Sequence, residues 1–185
     1  MIATSVHAQV LGSSFDRLPA LLRGVHDERP RKEFSGRCSV QSGRNWLARI
    51  IALLASLPRR SHDDIAVHVV IERRDGREIS ESRETWTRRF GAQRMQSVIS
   101  PGREGLEERF GPIVLVFGLS AEPDRIVWRL KGARFLFMPL PTALFTGCAA
   151  FETIVDGRYC FDARAGLAGI GLLVHYKGWL TEYGR

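Results

Sequence analysis

The stretch Trp46–Leu57, WLARIIALLASL, constrains the fold more than any other part of the chain. Its spacing predicts one helix. Trp46, Leu47, Ile50, Ile51, Leu53, Leu54 and Leu57 leave Arg49 and Ser56 as the clearly polar positions. A surface helix keeps a polar back, whereas one that is apolar on most sides needs cover on most sides. It is far shorter than the roughly 20 residues that span a bilayer. Most of the chain after it reads as strands, so the expectation is a sheet curled around this helix.

Ahead of it, residues 1–12 are expected to be flexible, and residues 13–185 to form a single β-rich domain. Ser13 or Ser14 caps a predicted helix over Phe15–His26, with Leu18, Leu21, Leu22 and Val25 along one face. A first strand is expected over Glu33–Gln41, and Pro58 ends the apolar helix. The period then changes to two. Ile65, Val67, Val69 and Ile71 alternate with neighbours of the other face, and Asp75-Gly76 is a strong hairpin signal that places Ile65 opposite Trp86. Further strands are expected near Gln93–Ser100, Arg103–Phe110, Ile113–Ser120 and Asp124–Lys131. A short segment at Pro139-Leu-Pro141 crosses or lies on an edge. A second hairpin at Asp156-Gly157 pairs Thr153 with Cys160 and Glu152 with Phe161, and the last strand covers about Leu172–Leu180. Strands in quick succession with short turns imply an antiparallel meander.

Composition excludes several classes. The net charge is +7, but the arginines are scattered through strands and not gathered in a block, so no nucleic-acid partner is expected. Arg44, Arg49, Arg59 and Arg60 flank the apolar helix, yet its polar side is too narrow for membrane contact to be favoured over burial. Cys38, Cys148 and Cys160 form no C-x-x-C pair and read as reduced thiols. The start of the chain lacks a signal-peptide pattern, which points to the cytoplasm. There is no G-x-G-x-x-G, P-loop, H-E-x-x-H or G-x-S-x-G, and the five histidines show no metal-ligand spacing. No cofactor or metal is expected.

The unusual positions are charges on apolar faces. Arg88 lies between Trp86 and Phe90 on one side of its strand, and Glu152 between Ala150 and Ile154. A buried charge is costly unless paired. Either they form internal salt bridges, with Arg88–Glu152 as the candidate pair, or they mark an apolar cavity with a few converging polar groups. In the second case Arg88 or Arg109 meets an anionic head group. Trp86, Phe110, Trp128, Tyr159 and Phe161 then serve as core or as ligand cage. His175 shares a strand face with Lys177 and Trp179 while Tyr176 takes the other, and a His–Tyr pair is suited to acid–base work.

Several segments resemble a known bacterial family in their order. They are Ser14-Phe-Asp-Arg-Leu-Pro19, Asn45-Trp-Leu-Ala-Arg49, Glu84-Thr-Trp-Thr-Arg-Arg-Phe-Gly91, Glu108-Arg-Phe-Gly-Pro112, Pro139-Leu-Pro141, Asp156-Gly-Arg-Tyr-Cys-Phe-Asp162 and Val174-His-Tyr-Lys-Gly-Trp-Leu180. Together they are similar to domain of unknown function 4166, from about Ser14 to Leu180. The resemblance implies members that stand alone or are fused behind Rossmann-type oxidoreductase domains or membrane segments. It implies no catalytic residue; Arg88, Arg89, Arg109, His175, Tyr176 and Trp179 match as candidates only. Cys160 and Ala168-Gly169 depart from the family pattern.

The expected fold is therefore α+β. A strongly bent antiparallel sheet of about nine to eleven strands forms a half-barrel or open barrel, with two N-terminal helices, the second packed on the concave face. The leading functional reading is a non-enzymatic binding module for a lipid-like or other apolar small molecule, with an anionic head group as one variant. Its candidate ligand-binding residues are Trp86, Arg88, Phe90, Arg109, Trp128, Glu152, Tyr159, Phe161, His175, Tyr176 and Trp179. The alternatives are an accessory domain with a filled core and an oxidoreductase partner, or an enzyme using Glu152, His175 and Tyr176.

Overall fold

A computed structural model describes residues 5–74 and 82–183. The described residues form eleven antiparallel strands and three short α-helices, the third between the first two strands: α1 (Val6–Leu11), α2 (Ala20–Val25), β1 (Arg31–Ser42), α3 (Trp46–Leu54), β2 (His62–Arg74), β3 (Arg83–Phe90), β4 (Gln93–Gly102), β5 (Gly105–Phe110), β6 (Ile113–Glu122), β7 (Arg125–Phe135), β8 (Met138–Leu140), β9 (Ala149–Val155), β10 (Arg158–Leu167) and β11 (Gly171–Glu182).

The sheet is closed. Strands β1 to β6 pair in sequence, β1 pairs with β11, and β11, β10, β9 and β7 continue the ring. The ring shuts where β6 pairs with β7, from Ile113 opposite Phe135 to Glu122 opposite Arg125. Ten strands thus form a barrel, and the short β8 lies beside the far half of β7. This corrects the half-barrel or open barrel expected from the sequence. Tight turns and alternation are the same in an open and a closed meander. Only the β6–β7 and β1–β11 ladders distinguish them.

The second correction concerns the helices. α3 is not wrapped by the sheet. Only Ala48, Ala52 and the following Ala55 are buried, while Trp46, Ile50, Leu53 and Leu54 are 67, 47, 56 and 53% exposed. Asn45 caps it, its side-chain oxygen accepting from the Leu47 N–H at 2.9 Å. Small alanines let the helix lie close against the barrel near β11, and the large side chains turn outward. The reading from the sequence counted apolar residues and did not ask which were small enough to sit at the contact.

The barrel is filled instead by the N-terminal segment. An eight-stranded barrel is just filled by its own side chains, and a wider one needs something more. Residues up to Gly12, expected to be flexible, contain α1, capped by Ser5 at 3.1 Å from the Ala8 N–H, with Val6 and His7 completely buried. The predicted helix Phe15–His26 is broken. A 3-10 turn, Gly12–Arg17, leads to Pro19 and then α2. Proline cannot donate to the preceding turn, and the residue before it is pushed out of the helical region. Leu18, Leu22 and Val25 are buried beside Val6.

Register follows the sequence where a turn is local. Asp156 and Gly157 both take positive φ, 49° and 71°, and β9–β10 pair Thr153 with Cys160 and Glu152 with Phe161 as expected. The Asp75-Gly76 turn lies outside the described residues. β2 and β3 pair Ile71 with Trp86 and Val69 with Arg88, so Ile65 is not opposite Trp86. The slip is an even number of residues, and Trp86, Arg88 and Phe90 therefore keep the inward face.

The backbones of β1 and β11 leave no room for side chains at two glycines. A Cβ on Gly36 would lie 1.9 Å from the Trp179 carbonyl oxygen, and one on Gly178 2.2 Å from that of Arg37. Both obstacles are backbone, so a side chain there forces the strands apart. Gly36→Ala is expected to lower stability by about 1–3 kcal/mol, the usual cost of overpacking, without changing the oligomeric state; urea denaturation followed by size-exclusion chromatography checks both.

Candidate functional site

Because inward and outward positions alternate along every strand, all ten barrel strands contribute side chains to the interior. It has two levels. At one end α1 and α2 fill the barrel. At the other a cavity of about 360 Å³ lies beneath α3, bounded by Ile51, Leu54 and Leu57 of the helical segment and by Val67, Phe90 and Phe110 of the wall. Trp86, Arg88, Trp128, Glu152 and Tyr159 form the layer between the two.

The cavity is mostly apolar, and its polar groups are anchored. Arg88 donates from Nη1 to Ser97 Oγ at 2.8 Å and from Nη2 to Glu108 Oε1 at 3.2 Å. Ser97 Oγ donates to the same carboxylate oxygen at 2.7 Å. The guanidinium also lies 4.9 Å from the centre of the Trp86 ring. Burial works against the charge on Arg88, but the neighbouring Tyr176, Glu108 and Tyr159 outweigh it and hold the pKa above the usual value. Burial, opposed by Arg88, pushes Tyr176 up to about 12. Both tyrosines are neutral hydroxyls facing the cavity.

Glu152 joins the cavity to the helical level. Its Oε2 lies 2.5 Å from His26 Nε2. His26 in turn packs on His7, ring centres 3.7 Å apart, and Trp86 and Trp128 flank the two imidazoles at 5.8 and 5.4 Å. Burial lowers both histidines well below the ordinary range and raises Glu152. In each case burial acts against the charged form. Among the described residues, neither nitrogen of His7, nor Nδ1 of His26, has a hydrogen-bond partner. Leaving a buried polar atom unsatisfied costs about 1–3 kcal/mol. Nearby, the fully buried Glu84 accepts from Trp86 Nε1 at 3.0 Å. The Lys32 ammonium donates to the Asp27 carbonyl at 2.8 Å, and burial lowers its pKa.

The residues singled out from the sequence divide cleanly. Trp86, Arg88, Phe90, Trp128, Glu152, Tyr159, Phe161 and Tyr176 all line the cavity. Arg109 is exposed on the outer face, because its neighbour Glu108 takes the inward position of β5. His175 and Trp179 also face outward. His175 Nε2 bonds Asp162 Oδ1 at 2.8 Å, and Arg158 stacks on Trp179 at 4.4 Å. His175 therefore does not converge with Glu152 and Tyr176, and the three-residue acid–base site fails on geometry. Arg88 and Glu152 are not each other's partners; each has its own. Glu84 and Glu108 were legible, since they sit two residues from Trp86 and Phe110. His7 and His26 were not, because nothing in their spacing ties them to Glu152.

Three comparisons bear on the chain. A family model described as "Domain of unknown function (DUF4166)" matches residues 18–180. No curated protein matches. Among solved structures, the chain is similar to the crystal structure of Rv2717c from M. tuberculosis, with 13% identity over 89% of this chain and 98% of that one and a TM-score of 0.43.

Two outcomes test the polar layer. Arg88→Met leaves Glu108 buried without its cation and is expected to cost about 3–5 kcal/mol, much of it recovered in Arg88→Met/Glu108→Leu; denaturant titration of both variants measures this. For His7 the sign follows from its lowered pKa. Below the ordinary value of 6.5 the unfolded chain takes up a proton that the folded one refuses, so this contribution is present above that pH and lost as pH falls. Between pH 7.5 and 5.5, in metal-free buffer, wild type should lose about 1.4 kcal/mol more than His7→Leu.

Proposed function

The chain belongs to the family of domains of unknown function 4166, which assigns no activity, and we propose from its interior that the barrel is a binding module for an apolar small molecule. The observation that carries this reading is the cavity of about 360 Å³, within the range of about 300–1,000 Å³ typical of small-ligand sites. Its wall is aliphatic and aromatic, with Arg88, Glu152, Tyr159 and Tyr176 gathered at its inner end. A ligand enters tail-outward or lies flat, with a hydrogen-bonding head directed at the tyrosine hydroxyls. Arg88 is already committed to Ser97 and Glu108, so a neutral or weakly polar head suits the site better than a carboxylate. Burying about 200 Å² of ligand surface contributes about 5 kcal/mol at the usual area coefficient, before the cost of association.

The rim supports the same reading. Besides α3, the β7–β8 turn and the 3-10 turn after β8 leave Leu136, Phe137, Met138 and Leu144 between 45 and 94% exposed. Leu54 and Leu144 also line the cavity. Apolar surface that rims a pocket is what an entrance for an apolar ligand requires. Among the described residues no helix is long and apolar enough to cross a membrane.

Ala163 lines the cavity opposite Ala150, so Ala163→Phe fills the space from inside. Native mass spectrometry with organic extraction of purified wild type should reveal a non-covalent apolar ligand, or the protein should take up a fluorescent polyene fatty alcohol at one per chain. Ala163→Phe should lose at least ten-fold in affinity while keeping its β-sheet circular dichroism. Wild type that carries nothing and shows no thermal shift with fatty acids, fatty alcohols or aromatic hydrocarbons defeats the reading.

A further inference from the structure

Beyond the apolar cavity, the structure assigns a second site: His7, His26 and Glu152 together bind one divalent transition-metal ion, of the zinc or iron(II) class. One donor atom from each residue lies within 4.8 Å of the other two, and all three side chains are buried. The residues come from three separate places, α1, the residue after α2, and β9. An ion there would tie the N-terminal helices to the barrel wall.

The second, independent observation is the state of His7. It is completely buried, and neither ring nitrogen meets a donor or acceptor. A core histidine held only for packing turns at least one nitrogen toward a backbone carbonyl or hydroxyl. This ring instead stacks on a second imidazole whose own Nε2 is engaged by a carboxylate. Two neutral imidazoles and one carboxylate are a donor set suited to zinc or iron(II), and three protein ligands leave a position for water. Calcium and magnesium, which demand several oxygens, do not fit. Trp86 and Trp128 supply the apolar shell around the site.

The metal would replace the proton shared by His26 and Glu152. Metal–nitrogen bonds of about 2.0–2.1 Å require the donors to draw together by roughly 1 Å, while the 2.5 Å contact between His26 and Glu152 lengthens. Binding releases one proton per ion if the pair is neutral beforehand. Two positive groups act on the site: Lys32 is turned onto Asp27, 2.8 Å from its carbonyl and 3.7 Å from its carboxylate, and Arg88 is held by Ser97 and Glu108. The carboxylate of Glu84 offsets the Lys32 charge. The site shares Glu152 with the cavity but does not depend on a ligand there.

The test uses tag-free full-length protein, stripped with a chelator and titrated with cobalt(II). The expected result is one ion per chain, visible d–d bands of a four- or five-coordinate centre, two exchangeable hyperfine-shifted imidazole N–H resonances, and displacement by zinc with a raised Tm. His7→Asn and Glu152→Gln should each weaken cobalt binding at least 100-fold, whereas His175→Asn, at the outward His175–Asp162 pair, should not. Failure of wild type to bind cobalt or to be stabilised by zinc overturns the assignment, whether or not the variants fold. So does binding that survives His7→Asn, or that is lost in His175→Asn. The apolar-ligand assay with Ala163→Phe is read separately, so either reading can fail alone.

Discussion

Closure of the ring between β6 and β7 is the constraint on which the rest depends. Once Ile113 pairs with Phe135 and Glu122 with Arg125, the ten strands have no free edge to pair with another chain. Closure also fixes the width of the interior, which ten strands make too large for their own side chains to fill. The N-terminal helices occupy one end and the cavity remains at the other. The position of α3 follows from the same fact. With the interior taken, a short helix with an alanine edge can only lie across the outside, and its large apolar residues stay exposed.

Polar groups inside this barrel are arranged as closed units. Arg88, Ser97 and Glu108 satisfy one another in a triangle. Glu152 has His26, and Glu84 has the Trp86 indole. Each is costly to bury, and none confers stability cheaply, because replacement of a buried ion pair by well-packed apolar residues is often neutral or better. Their value lies in placement. They set a polar floor under an apolar space and orient Tyr159 and Tyr176 toward it. His7 stands apart as a completely buried ring neither of whose nitrogens has a hydrogen-bond partner among the described residues.

Much of this was legible in the chain. Period-two alternation gave strand positions within a few residues, and the Asp156-Gly157 turn fixed its register because the turn chemistry is local. Arg88 and Glu152 were recognisable as buried charges for the same reason. What could not be read was anything set by distant partners: the closing ladder, the choice of Glu108 and His26 as counterparts, and the return of the first helices into the barrel. Arg109 shows the limit. It looked like a candidate cation, but its neighbour Glu108, two residues from Phe110, is the one that shares the inward face. The apolar helix misled because hydrophobic count and burial are different quantities; Ala48 and Ala52 are buried and Trp46 is not.

The seam between β1 and β11 sets the order in which such a chain can mature. Phe34 lies opposite Glu182 and Ser42 opposite Val174, so the early strand waits on a ribosome until nearly all the other strands have emerged. α1 and α2 are made first, yet the chamber that shelters them comes into being last. Contacts of such wide sequence separation carry a large loop-closure cost, so the sheltering wall around α1 and α2 closes late and the barrel is expected to fold slowly.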